Sequence, residues 1–221
     1  MRTSADFDRI ARPYRVLEYI TLGRALERTR MHSLPSLMKA RRALVIGDGD
    51  GRFLAKLLEK NGALHATAID TSAAMLRLLS KRCTRFANRL EIHHLDALTF
   101  VGTYPKRYDL IVTHFFLDCL AQSEVELLAK RIDALSAPGA LWVISDFRIA
   151  RGMLRLPTRF FIRTLYLGFR ILTGLRVTRL PVHASALTSA GFTRIDRRLL
   201  LCGLLTTELW QKSDHNPDKQ R

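Results

Sequence analysis

A short apolar run, Ala43-Leu-Val-Ile46, breaks at Gly47, Gly49 and Gly51 and re-enters at Phe53-Leu-Ala-Lys-Leu-Leu-Glu59 with helical spacing. A buried strand that passes through a glycine turn straight into a helix is the first crossover of an open, mostly parallel α/β sheet. Glycine lets the backbone turn tightly and lets a ligand approach the main chain at the helix N-terminus. One glycine triplet alone is a weak signal, so the rest of the chain decides what it means.

Further apolar runs follow, and three of them end in a carboxylate. Leu64-His-Ala-Thr-Ala-Ile69 ends in Asp70, followed by Thr71. An acid at the tip of the second strand is placed to accept hydrogen bonds from ribose hydroxyls. Leu90–Leu95 ends in Asp96, followed by Ala97, and Ala140–Ser145, after the Ala137-Pro-Gly139 turn, ends in Asp146. Between them Tyr108–His114 leads into Phe115, Phe116 and Asp118, while Asp109 starts that strand at the opposite edge and is read as structural. The acids converge on the carboxyl-end crevice where open α/β sheets bind ligands. The pattern predicts a Rossmann-like α/β domain with helices on both faces of the sheet.

The order of glycine turn, ribose acid, third-strand acid, aromatic-rich fourth strand and Pro-Gly turn resembles the class I S-adenosylmethionine-dependent methyltransferases, over Arg42 to Asp146. The entry segment Phe7-Asp-Arg-Ile-Ala-Arg-Pro-Tyr14, with Leu22-Gly23 and Arg28, and the closing Leu187-Thr-Ser-Ala-Gly-Phe192 are similar to the ubiquinone/menaquinone C-methyltransferase branch. The resemblance implies a seven-stranded sheet in the order 3-2-1-4-5-7-6 with the last strand antiparallel. It implies S-adenosylmethionine as cofactor, with Gly47, Asp48, Gly49 and Gly51 around it, Asp70 and Thr71 at the ribose, and Asp96 and Ala97 at the adenine. Such proteins usually have Asp or Glu two residues before the first glycine, near the methionine end of the cofactor. Val45 stands there instead, and Asp48 is the acid positioned to take over part of that role.

On the acceptor side, His114 ends the fourth strand beside the expected methyl group and is the candidate to remove or shuttle a proton. Asp118, a helical turn further on, is expected to orient it, and Asp146 also faces the crevice. The plain alternatives are a loop hydrogen bond for His114, a helix cap for Asp118 and a pair with Arg148 for Asp146. Tyr14 and Tyr19 are expected to cover the site, and Phe115 and Phe116 point to an apolar, aromatic or lipid-like acceptor. His93 and His94 are adjacent on a strand and point to opposite faces, so no metal is expected.

The 221 residues, 48% apolar, suit one domain with a full core. We divide it into a helical cap (1–40), a cofactor-binding core (41–146) and a basic helix with closing strands (147–212), followed by a polar, disordered tail (213–221). Cys83, Cys119 and Cys202 form no CxxC pair and read as small core residues of a reducing compartment. Charged residues at the N-terminus and the lack of a long apolar run predict a cytoplasmic protein, peripheral at a membrane at most.

The 36 Lys+Arg against 20 Asp+Glu give a net charge of +16, and no acidic residue lies between Asp146 and Asp196. Arg155, Arg159, Arg163 and Arg170 fall on one stripe of a helix that starts near Pro157 and ends near Leu172 and Gly174. Its Phe- and Leu-rich remainder fits an ordinary crossover helix with a solvated arginine face and its aromatics in the core, a helix on an anionic membrane surface, or a nucleic-acid contact, and its Phe160–Phe169 stretch is expected to wall the site. The leading function is methyl transfer to carbon or oxygen of a small hydrophobic, quinone-like or aromatic acceptor. An RNA or DNA methyltransferase is an alternative raised by the charge, but the Thr113-His-Phe-Phe116 strand end has neither a [DN]PP[YF] motif nor a Pro-Cys nucleophile, so no specific nucleic acid is expected. A non-catalytic cofactor-binding or scaffold member is kept open by Val45. The sequence leaves the oligomeric state undetermined.

Overall fold

The computed structural model describes Asp8 and residues 22–102, 107–175 and 177–213. Tyr14, Tyr19 and the tail beyond Ser213 lie outside the described residues, as does most of the N-terminal half of the cap.

Seven strands form one sheet: β1 (Arg42–Ile46), β2 (His65–Asp70), β3 (Leu90–His94), β4 (Tyr108–His114), β5 (Ser136–Phe147), β6 (Phe192–Leu200) and β7 (Leu205–Lys212). Their order is β3-β2-β1-β4-β5-β7-β6, with β7 antiparallel to both neighbours and the other pairs parallel. This is the expected topology. Helices are α1 (Ala25–Met31), α2 (Arg52–Lys60), α3 (Ala73–Arg82), α4 (Gln122–Leu135), α5 (Arg155–Thr173) and α6 (His183–Ser189).

Alternation along the strands sorts the core onto the two faces of the sheet. Leu44, Ile46, Ile111 and Ile144 face α4 and α6 through Val125, Ile132 and Leu187. Ala43, Val45, Leu110 and Val112 face α2 through Phe53, Leu54 and Leu57. A third cluster joins Leu26 of α1, Phe147 and Leu205 of the sheet, and Ile162 and Tyr166 of α5. Among the described residues no helix is long and apolar enough to cross a membrane.

Three details differ from the sequence reading. The fifth strand begins at Ser136 rather than Ala140, because the Ala137-Pro-Gly139 segment is a bulge: Tyr108 pairs with Ser136, but Leu110 already pairs with Leu141. Pro138 has no N–H for the ladder, so the extra residues loop out of register. Cys202 is not a core residue; it is exposed at φ 52° in the tight link between β6 and β7. On α5, Phe160 is 74% exposed, so it points to solvent rather than walling the crevice.

Asp109 holds the opposite end of the sheet, accepting the amides of Arg41 and Arg42 at 2.8 and 2.9 Å. On β7 the buried Glu208 accepts from Trp210 Nε1 at 3.0 Å and faces His183 Nε2 at 3.3 Å, Arg194 and Arg197. Burial raises its pKa, but these partners outweigh that and hold it below the usual range.

Candidate active site

Gly47, Gly49 and Gly51 all take positive φ, at +67°, +61° and +77°. Two of them also lack room for a side chain. A Cβ on Gly47 would lie 2.5 Å from the Phe116 ring, and one on Gly51 would lie 2.8 Å from Leu79 Cγ. Gly49 is different: the nearest atom, Met75 Sδ, is 3.9 Å away, so the main chain there is open to a ligand.

The acids around the turn divide into structural and available groups. Asp50 is committed to Arg52 at 2.9 Å and Arg82 at 2.8 Å. Asp48 turns beneath α2, where Oδ2 accepts the Leu54 amide at 3.0 Å and satisfies a donor of the helix's first turn. Its Oδ1 is buried without a partner, and burial pushes the carboxyl up to about 7 against the opposing pull of the Leu54 amide and Arg30. Val45 is 1% exposed and wholly part of the core, so β1 offers the crevice no acid.

At the end of β2, Asp70 Oδ1 accepts the Ser72 amide at 2.8 Å. Burial pushes it up to about 6 in spite of the Ser72 and Thr71 amides. Asp8 accepts from the Ser72 hydroxyl and, at 3.0 Å, from the Ala74 amide, which places its carboxylate at the start of α3 beside Asp70. The Thr71 carbonyl is 2.9 Å from His94 Nε2. On the next loop Asp96 Oδ1 accepts the Leu98 amide at 2.9 Å, and Ala97 is buried.

The ends of β4 and β5 hold the remaining groups. His114 is 2% exposed and packs edge-on to Phe53 with ring centroids 4.4 Å apart. Neither ring nitrogen has a partner, and burial, aided by Arg30, holds its pKa well below 6.5. It is therefore a neutral imidazole. Asp118 does not orient it. Asp118 is hydrogen-bonded to Asp146, and both are buried. Burial pushes Asp118 up to about 6 and Asp146 well above the usual carboxylate range, so the pair retains a proton, on Asp146, near neutral pH. Asp146 Oδ1 has no partner. Tyr166 of α5 donates its hydroxyl to the Asp118 carbonyl at 2.9 Å and thereby ties the helix to the pair.

Phe115 and Phe116 separate. Phe116 stands against Gly47, whereas Phe115, at a strained φ of 53°, packs on Phe147 with centroids 5.3 Å apart. Arg30, buried in α1, stacks over Phe115 at 5.1 Å. Ser145 Oγ anchors that helix through the Thr29 carbonyl, and Thr207 links Ser145 to Ser33. Arg30 is a site residue that our sequence reading missed. Leu26, Thr29 and Arg30 share the buried i, i+3, i+4 face of α1, and that spacing was the available signal.

Of the seven buried side-chain polar atoms without a hydrogen bond among the described residues, four belong to Asp48, His114 and Asp146. Buried polar groups in folded proteins are nearly always paired, so their concentration at one sheet edge marks a place built for a polar ligand. The described residues contain no group of three or more metal-ligating side chains.

Residues 44–142 match the family described as "Methyltransferase domain". Among solved structures, the N-methyltransferase NodS from Bradyrhizobium japonicum WM9 in complex with S-adenosyl-L-homocysteine is similar at a TM-score of 0.62 and 19% identity, covering 85% of this chain and 87% of that one. The fold is that of a class I methyltransferase. The mitomycin 7-O-methyltransferase MmcR is similar at a TM-score of 0.67 and 17% identity, over 94% of this chain and 61% of that one. A polyamine aminopropyltransferase 2 from Bacillus cereus is 29% identical over 91 residues, 37% of this chain. The chain spans 25% of that relative and 48% of an uncharacterized protein from Haemophilus influenzae. These likenesses show the fold and do not single out the quinone branch.

Proposed function

We propose that this protein is an S-adenosylmethionine-dependent methyltransferase acting on carbon or oxygen of a small hydrophobic, aromatic or quinone-like acceptor. The observation that carries this reading is the set of buried polar atoms without a hydrogen bond on Asp48, His114 and Asp146 at the carboxyl ends of β1, β4 and β5, together with a glycine turn open at Gly49, within a methyltransferase fold. The residues fit the cofactor: Asp70 suits ribose hydroxyls, the Asp96 loop the adenine, and Asp48 Oδ1 a positively charged amino group. Arg30 supplies a cation for a carboxylate, whether of cofactor or acceptor.

When bound, the cofactor supplies an electrophilic methyl group on a sulfonium, itself an excellent leaving group. The chain's own contribution is mainly alignment and exclusion of water. His114, neutral and held against Phe53, can donate or accept a hydrogen bond at the acceptor but is too weak a base to carry the proton. Asp118, at about 6, is closer to the working pH and is the better proton acceptor, with Asp146 donating to it. Phe115 and Phe116 supply the apolar lining.

Formation of S-adenosylhomocysteine on incubation with S-adenosylmethionine and a panel of lipophilic phenols and quinols tests the reading. Acceptor-dependent product lost in Asp118→Asn supports it. Tight cofactor binding with no product from any such acceptor would favour the non-catalytic reading, for which Val45 is the specific observation.

A further inference from the structure

We infer that α5 and the segment after it form a docking surface for membranes rich in anionic phospholipid. Leu156, Phe160, Leu167 and Ile171 are 74%, 74%, 57% and 73% exposed. At 3.6 residues per turn they fall in one sector of the helix, opposite the buried Thr158 and Ile162. The helix is thus apolar on two faces, one in the core and one towards solvent. Scattered apolar surface residues need no explanation, but four exposed apolar side chains in one sector along a 19-residue helix do.

Arg155, Arg159, Arg163 and Arg170 run along one flank of that stripe. With Arg179 they line a groove of about 820 Å³ between α5 and residues 177–180, and no carboxylate lines it. Guanidinium groups pair bidentately with phosphate oxygens. The charge selects the partner: no acidic residue occurs from 147 to 195, and the whole chain carries +16, which opposes pairing with a second copy. An anionic bilayer satisfies both features, with headgroup phosphates in the groove and the stripe at the acyl boundary. Nucleic acid would use the arginines and leave Leu156, Phe160, Leu167 and Ile171 without a role.

The surface does not depend on the methyltransferase reading, since its test requires neither cofactor nor acceptor. Full-length protein is floated with vesicles of phosphatidylglycerol and phosphatidylcholine, and with phosphatidylcholine alone. Binding is expected only to the anionic vesicles and should weaken as salt rises from about 0.1 to about 0.5 M. The triple variant Arg159→Gln, Arg163→Gln, Arg170→Gln should bind about a hundredfold more weakly, at about fivefold per arginine. Leu156→Gln, Phe160→Gln, Leu167→Gln should lose at least about tenfold while keeping the wild-type circular dichroism spectrum. No binding to anionic vesicles would overturn the inference. So would an apolar triple variant that binds vesicles as well as wild type while an RNA duplex binds with the same arginine dependence, which would make the surface a general polyanion site.

Discussion

Asp48, Asp70, Asp118 and Asp146 have in common that burial raises the cost of their charge, and this gives the site a measurable pH dependence. Asp48 lies at about 7 and Asp70 at about 6, and a cationic ligand favours their ionised forms. Affinity for S-adenosylmethionine should therefore rise from about pH 5.5 to about pH 8, and calorimetric titration across that range reads it. The carboxyl pair yields an asymmetric prediction. Asp118→Asn removes the proposed proton acceptor and should lower turnover by about a hundredfold or more with cofactor affinity unchanged. Asp146→Asn keeps a donor towards Asp118 and should cost far less; equal losses would contradict the assignment of the proton acceptor. At this scale the sequence placed residues correctly wherever strand ends carry the information: Asp70 does end β2 and Asp96 does follow β3. It concealed the Asp118–Asp146 pair, which depends on β4–β5 register and on the 3-10 turn after β4. For Arg30 the only signal was the i, i+3, i+4 spacing of Leu26, Thr29 and Arg30 on a seven-residue helix, which is too short for that spacing alone to pick out a buried arginine.

The glycine turn is the element on which the proposed cofactor site rests, and its positions should separate stability from binding. Gly47→Ala places a Cβ against Phe116 at positive φ, so it should destabilise by more than the roughly 1–2 kcal/mol that left-handed backbone alone costs. Gly49→Ala meets no neighbouring atom closer than 3.9 Å and should cost only that backbone term, yet still obstruct the ligand. Thermal unfolding and calorimetry together check this, with Gly47→Ala the less stable protein and both variants defective in binding. Strand and helix positions were largely readable because the central strands β1, β2, β4 and β5 are buried apolar runs, whereas the edge strands β3 and β6 are mostly exposed. The limits of α5 were readable from Pro157 and from Gly174, which closes the helix at φ +72°. The bulge at 137–139 was not, because Pro-Gly reads equally well as a turn. Nor was the outward direction of Phe160, because an aromatic on a basic helix fits core and surface equally well.

For the whole molecule, linkage between the buried acids and folding fixes how stability varies with pH. Asp48, Asp70, Asp118 and Asp146 have folded pKa values above their unfolded ones, so the folded state binds more protons between about pH 4 and about pH 7. Stability of the ligand-free protein should therefore rise, by on the order of a few kcal/mol in total, as pH falls from about 7.5 to about 5. Glu208 acts oppositely: its pKa is depressed, so its contribution is present above the unfolded value and lost as pH falls further. A maximum in melting temperature near pH 5 is the expected outcome. Asp146→Asn should flatten the slope above it, and an unchanged slope would contradict the burial of that charge. The central claim, a cofactor site between the glycine turn and the end of β2, is tested most directly by calorimetric titration with S-adenosylmethionine and, separately, S-adenosylhomocysteine. Both should bind with micromolar affinity, weakened at least about tenfold in Asp70→Ala with the fold intact. Binding of neither ligand to the folded wild-type protein, or binding unchanged by Asp70→Ala, would contradict it.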